Sequence, residues 1–219
     1  MWNGRADLAY SRRWNNLMSG QYVSSGLVAA STILMPNTHD SFSADAGLSK
    51  RIASQRTNLS LDGSWSWSRN LTKQNDMRVR HYGSNYTLVP KISSSPLDWL
   101  EVSYALNLSL TTTRYLDVKH SSTTESHNLQ LKFYPLRRWE LNLNSDITRK
   151  ELAAGEYKTM ALFDAAAVFK HKSLRFGLKL HNLLNTRRYT YTTFSGLDSY
   201  TYSYALRPRE LQLSITFVN

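Results

Sequence analysis

From residue 56 onward, apolar and polar residues alternate with a period of two over long runs. Leu59, Leu61, Gly63, Trp65 and Trp67 fall on one parity, and Asn58, Ser60, Asp62, Ser64, Ser66 and Ser68 on the other. Leu100, Val102, Tyr104, Leu106, Leu108 and Leu110 alternate with Glu101, Ser103, Ala105, Asn107 and Ser109. Trp139, Leu141, Leu143 and Ile147 alternate with Glu140, Asn142, Asn144, Asp146 and Thr148, and Leu174, Phe176, Leu178 and Leu180 with Arg175, Lys179 and His181. A strand turns successive side chains to opposite faces, so each run predicts a strand with one greasy and one wet face. Ordinary strands hold about five or six residues, whereas strands tilted across a membrane need about nine to eleven. These runs match the second value. A water-soluble sandwich would show shorter strands and more frequent turns.

The predicted strands run over residues 42–52, 57–68, 83–93, 99–113, 126–134, 139–149, 158–169, 174–183 and 200–217, after a strand near 7–14 and a hairpin over 20–38 with Pro36-Asn37 as its turn. Short connections fall near 53–55, 95–98, 135–138 and 170–173; longer polar ones near 70–81, 115–124, 150–156 and 185–199. Short turns at one rim and long loops at the other is the arrangement of outer-membrane barrels, with the short turns periplasmic. Propeller blades would need four short strands per period where two long ones are present. Aromatics gather at strand ends: Trp99, Phe133, Trp139, Phe169 and Phe217 beside short turns, and Tyr82, Tyr115, Tyr157, Phe194, Tyr200, Tyr202 and Tyr204 beside long loops. Two interfacial belts would place them so. In the last run the apolar parity switches across Pro208, from Tyr200, Tyr202, Tyr204 and Leu206 to Leu211, Leu213, Ile215 and Phe217. A regular strand cannot change parity, so a bulge or break is expected between Leu206 and Glu210, or else a separate hairpin before it.

Composition narrows the class. The chain is 41% hydrophobic with 13 Tyr, 6 Trp and 7 Phe, which is neither disordered nor low-complexity. There is no cysteine, so neither a disulfide scaffold nor a thiolate metal site is available. Net charge is +11, yet Lys91, Lys132 and Lys179 each sit singly at polar positions of alternating runs; a nucleic-acid face would cluster them, so no nucleic-acid partner is expected. No apolar run approaches the ~18 residues of a membrane helix, and the residues from Met1 to Asp7 do not read as a signal peptide.

The tail carries a resemblance. His181-Asn182-Leu183-Leu184-Asn185-Thr186-Arg187-Arg188-Tyr189 resembles the N-L-F-N-x-x-Y stretch in the penultimate strand of TonB-dependent receptors. Leu206-Arg207-Pro208-Arg209-Glu210, with the alternating Leu211, Leu213, Ile215 and Phe217, is similar to the final strand of such receptors in Bacteroidetes-type bacteria. Phe217 would then be the near-terminal aromatic read by the barrel-assembly machinery, although Val218 and Asn219 follow it. The resemblance implies an all-β, antiparallel transmembrane barrel segment spanning residues 1–219, about nine or ten strands of a barrel of about twenty-two. It also implies a bacterial outer-membrane location among lipid and lipopolysaccharide, import of a scarce nutrient such as a siderophore, cobalamin or glycan, and energisation by the TonB complex through a plug domain. Plug, TonB-contacting box and export signal are not found in these residues, so the chain is expected to be part of a longer product or a truncated remnant.

Candidate chemistry is sparse. His39, His81, His120, His127, His171 and His181 show no i,i+2 or i,i+4 pairing, so no metal site is expected. No G-x-S-x-G, Walker A or G-x-G-x-x-G pattern occurs, the carboxylates Asp62 and Glu101 belong to faces that are polar anyway, and no cofactor or enzymatic activity is expected. Asn58, Asn70, Asn85 and Asn107 open Asn-x-Ser/Thr triplets as a by-product of polar alternation. The expected ligand surface is the tyrosine-rich stretch with Arg187, Arg188, Tyr189, Tyr191 and Tyr200, because tyrosine supplies stacking area and a hydroxyl at low entropic cost; an interfacial tyrosine belt is the competing reading. Basic polar-face residues such as Lys91, Lys132, Arg175 and Lys179 point to an anionic ligand. The second functional reading is a smaller closed barrel serving as passive pore, anchor or adhesin.

Overall fold

A computed structural model of the chain describes residues 2–24, 27–75, 77–153, 155–195 and 198–217. The alternating runs become strands β1 (Trp2–Ser24), β2 (Leu27–Ile52), β3 (Thr57–Gln74), β4 (Met77–Leu97), β5 (Leu100–Tyr115), β6 (Val118–Leu136), β7 (Trp139–Ala153), β8 (Glu156–His171) and β9 (Leu174–His181). The tail adds β10 (Arg188–Ser195), β11 (Asp198–Ala205) and β12 (Glu210–Phe217). The protein is all-β, with one 3-10 turn at Ala53–Gln55 among the described residues. Ten strands form one sheet in the order β1 to β9 and then β12, and β10 pairs with β11 in a small sheet of its own. The large sheet is antiparallel between neighbours, with one short parallel contact of β1 on β3 at Gly20 and Lys73. Its order is open: among the described residues no pairing joins β12 to β1.

The strands are longer than the sequence pattern alone predicts. The stretches read as long polar loops at 70–81, 115–124 and 150–156 instead continue the ladder, pairing Asn70 with His81, Arg114 with Lys119 and Lys150 with Lys158. Their tips are tight turns. Asn75 (φ 44°) and Leu116 (φ 52°) take the left-handed conformation there; a tight hairpin needs it, and asparagine adopts it far more readily than leucine. Polar strand extensions look like loops in sequence because neither of their faces carries an alternating apolar row. Pro36 is not a turn residue either. It lies inside β2 where the register slips between Asn15 and Leu17, and a proline without an N–H is tolerated at such a bulge. The tip of that first hairpin lies outside the described residues.

Register confirms the two faces. Cross-strand rows such as Leu48, Leu61 and Pro90, or Ala44, Trp65, Tyr86 and Leu110, run along one side. Asp45, Ser64 and Thr87, or Lys132 and Asn142, run along the other. Leu106, Leu141 and Leu178 thus lie opposite in facing to their chain neighbours Asn107, Asn142 and Lys179. Ion pairs knit the polar face, including Arg5 with Asp62 at 2.9 Å, Lys132 with Glu101 at 3.7 Å and Lys170 with Glu140 at 3.1 Å. Aromatics mark both ends of the apolar face. Trp139, Phe169 and Phe176 gather beside the short turns, with ring centroids 4.9 and 6.4 Å apart. Phe42, Trp65 and Tyr86 form a second row nearer the far rim, at 5.2 and 6.1 Å. Tyr115 joins neither, being a buried residue of the polar face.

The apolar face has no cover. Among the described residues the buried hydrophobic ones are Met18, Val79 and Tyr115, whereas Leu61 (44%), Leu143 (43%) and Leu213 (76%) stay exposed. Accessible area totals 15043 Å². A globular protein of 25.2 kDa would expose about 10,300 Å². Polar side chains on this face satisfy one another: the Tyr104 hydroxyl lies 2.7 Å from His127 Nδ1, His127 Nε2 lies 2.9 Å from Glu125 Oε1, and Arg149, across from Glu125, stacks 4.3 Å over Tyr157.

Candidate functional site

The site grows from the end of β9, where the strand stops and two asparagines take the left-handed conformation, Asn182 at φ 51° and Asn185 at φ 56°. Asn182 is buried (7% exposed) and ties three segments together. Its Nδ2 donates to the carbonyls of Thr186 and Arg207, both at 2.8 Å, and its Oδ1 accepts the Thr186 N–H at 2.9 Å. Asp164 on β8 accepts the Asn182 N–H at 2.9 Å and lies 3.0 Å from His181 Nδ1. Thr186 Oγ1 donates to the Ala161 carbonyl, and Arg209 N to Asn185 Oδ1. The knot holds the chain leaving β9 beside the chain entering β12, so β10 and β11 are lifted out of the large sheet as a separate hairpin, closed at its base by Leu206 N donating to the Arg187 carbonyl at 2.9 Å.

This corrects the reading of residues 200–217 as one strand. The ladder does break between Leu206 and Glu210, and Tyr202 belongs to the separate hairpin while Leu213 belongs to the large sheet. Tyr200, Tyr202 and Tyr204 do not form a belt around the sheet. The Phe194 side chain lies outside the described residues.

Within the hairpin, Tyr189 pairs with Tyr204 and Tyr191 with Tyr202, while Tyr200 pairs with Thr193 on the same face. One face is therefore a ladder of five tyrosines. Tyr191 stacks on Tyr202 at 5.1 Å and on Tyr204 at 6.0 Å, and Tyr189 tilts against it at 5.4 Å. A hydrogen bond with Tyr204 favours the neutral Tyr191 phenol and pushes its pKa up to about 12. The other face turns Thr192 toward the polar face of the large sheet, over a cavity of about 290 Å³ lined with Thr111, Ser122, Thr124 and Lys150. Lys150 Nζ sits 4.8 Å from the Tyr191 ring centre, and partial burial lowers its pKa. Beneath the knot a cavity of about 410 Å³ opens on the same polar face among Asn144, Asp146, Asp164, His181, Glu210 and Gln212.

Of the sequence candidates, Tyr189, Tyr191 and Tyr200 come together on the ladder. Arg188 points to the opposite face with Thr190, and Arg187 precedes the strand, where its carbonyl closes the hairpin base. Tyr202 and Tyr204 complete the ladder and Lys150 brings its cation; alternation inside the stretch could have supplied the first two, but nothing in sequence links Lys150 to it. Phe217 ends the described part of β12 opposite Leu174 and is 78% exposed. Among the described residues no group of three or more His, Asp or Glu side chains is placed to hold a metal ion. A surface of stacked phenols with hydroxyls and one cation can grip sugar rings or aromatic and catechol-like groups by stacking and hydrogen bonding. No protein-family model, curated protein or solved structure matches the chain.

Proposed function

We propose that the chain forms wall and loop-side structure of a bacterial outer-membrane barrel of the TonB-dependent receptor kind, taking part in import of a scarce nutrient, with the tyrosine hairpin meeting the ligand. The observation that carries the reading is the uncovered apolar face: a wide sheet of long antiparallel strands with leucines exposed, bounded by aromatic rows, needs a hydrocarbon environment to be stable. The polar face would then line the lumen, where both cavities and the hairpin lie. The open order of the sheet fits a wall that further strands complete, since free edges are not viable in lipid.

The test has two stages. Cells expressing the protein are fractionated; it is expected in the outer membrane, resistant to alkaline carbonate extraction and heat-modifiable on gels, and recovery as a soluble species would refute the membrane reading. Ligand uptake is then measured with the TonB complex present and deleted, loss on deletion being expected. A passive pore is the second reading, favoured by the even number of strands in the large sheet. Steady ion conductance in planar bilayers without any energising partner would support it over the receptor.

A further inference from the structure

Beneath the tyrosine hairpin, β7 and β8 set two lysines directly opposite each other on the polar face, Lys150 with Lys158. Like charges opposed in this way weaken a strand pair, and an anion beside them would remove the cost. No carboxylate of the described residues supplies it. Neither lysine forms an ion pair, even with Glu156 two residues before Lys158. Glu151, next to Lys150 in the chain, belongs to the other side, where its carboxylate accepts the Thr123 and Gly155 N–H groups at 3.0 and 3.3 Å. Lys150 also lines the cavity of about 290 Å³ under Thr192. Thr124 pairs with it from β6, and the Tyr191 ring centre lies 4.8 Å from its Nζ. The rest of the lining is rich in alcohols: Thr111, Thr113 and Ser122 stand on β5 and β6 beside His120, and no acidic side chain joins them. Thr111 donates to Asn85 at 2.9 Å and Ser122 to the Glu151 carbonyl at 3.3 Å, whereas the hydroxyls of Thr113 and Thr124 have no partner among the described residues.

We infer that this niche takes a phosphate or sulfate ester of a hydroxylated group, with the oxyanion at Lys150 and Thr124, Lys158 adding its charge, and the hydroxylated part along Thr111, Thr113 and Ser122. The inference rests on the reading in which the hairpin meets the imported ligand, and it names the ligand's class. An ammonium is a point charge with no fork to match a planar carboxylate. Reached from three adjacent strands, a tetrahedral group with several charged oxygens fits better. Partial burial, which lowers the Lys150 pKa, makes a paired anion worth more there than on an open surface. Serine and threonine hydroxyls donate and accept, as alcohol groups of a ligand require. Lys132 and Lys170 of the same face are by contrast already held by Glu101 and Glu140.

The test uses the full chain purified in mild detergent, its folding checked by heat-modifiability, with binding followed by titration calorimetry. The probes are glycerol phosphate, glycerol sulfate, glycerate and glycerol. One or both esters are expected to bind at least tenfold tighter than glycerate or glycerol, and their ratio tells a phosphate from a sulfate ligand. Lys150→Gln removes charge-assisted bonds in a partly dry site, so it is expected to weaken the ester at least tenfold. Lys158→Gln should weaken it a few-fold, while Arg137→Gln, in the short turn between β6 and β7, binds as wild type. Should Lys150→Gln fail to fold, Lys158→Gln, an exposed position, carries the test. Wild-type ester affinity in the folded lysine variants would overturn the inference, as would glycerate binding as tightly as the esters. Uptake with the TonB complex present and deleted tests the import reading separately. Lys150-dependent ester binding beside TonB-independent uptake brings down the import reading alone; TonB-dependent uptake without ester binding brings down the niche alone.

Discussion

Replacing Asn182 by alanine should release the tyrosine hairpin without unfolding the large sheet. The side chain makes three hydrogen bonds at 2.8–2.9 Å, two to carbonyls and one from an amide. Each is worth about 1 kcal/mol net, and more where the abandoned partner stays dry. Alanine at φ 51° adds about 1 kcal/mol of left-handed strain. The sum is about 3–5 kcal/mol, borne locally, because β1 to β7 make none of their ladder bonds through this loop and β8 meets it only near Ala161, Phe163 and Asp164. Asn182→Gly relieves the strain but not the lost bonds, so it should recover only about 1 kcal/mol. Limited proteolysis reads the effect: cleavage within residues 183–209 should rise by two orders of magnitude or more, while the β3–β7 region stays protected. Wild-type cleavage rates in Asn182→Ala, or full rescue by glycine, would show that the bonds do not hold the hairpin.

Three further outcomes are expected. Arginine at Leu141 should cost about 2–4 kcal/mol in a bilayer while arginine at Asn142 is tolerated, checked by urea unfolding in vesicles; equal tolerance would contradict the facing. Tyr191 should ionise well above the ordinary tyrosine value in an ultraviolet titration. Its raised pKa, about 12, makes the hairpin's contribution complete below the ordinary value of 10.0 and lost as pH climbs through 12, and Tyr204→Phe should bring the Tyr191 titration back down. Asp40 is held below its ordinary 3.8, first by Arg69, so its stabilising effect is present above that value and vanishes as pH falls through the lowered one. Unfolding midpoints of Asp40→Asn should lack that acid dependence.

The strands of the large sheet were legible because Leu59 to Trp67 or Leu100 to Leu110 must keep one parity to keep one face, and parity is written in the residues themselves. Their upper reaches were not, since Thr111 to Tyr115 or Val118 to Thr124 pair through backbone groups that carry no side-chain signature. The break near Pro208 was visible as a parity switch. Its consequence, a hairpin standing apart, depends on the Asn182 bonds to Thr186 and Arg207, which join residues far apart in the chain. Tyr189, Tyr191 and Tyr200 could be nominated from composition; the cation beside them, Lys150, arrives only through the approach of the hairpin to β7.

The sequence-neighbour order of the large sheet carries a kinetic meaning. From β1 to β9 each strand meets the one just made, so every pairing closes a short loop and can zip from its turn at little entropic cost. β12 is different. It must find β9 across an intervening hairpin, and the Asn182 bond to the Arg207 carbonyl holds the chain entering β12 alongside the end of β9. The last strand is thus latched by a loop instead of templated by a turn, and a chain with a defective knot would be expected to close the same sheet more slowly, with β12 docking late on strands that have already formed.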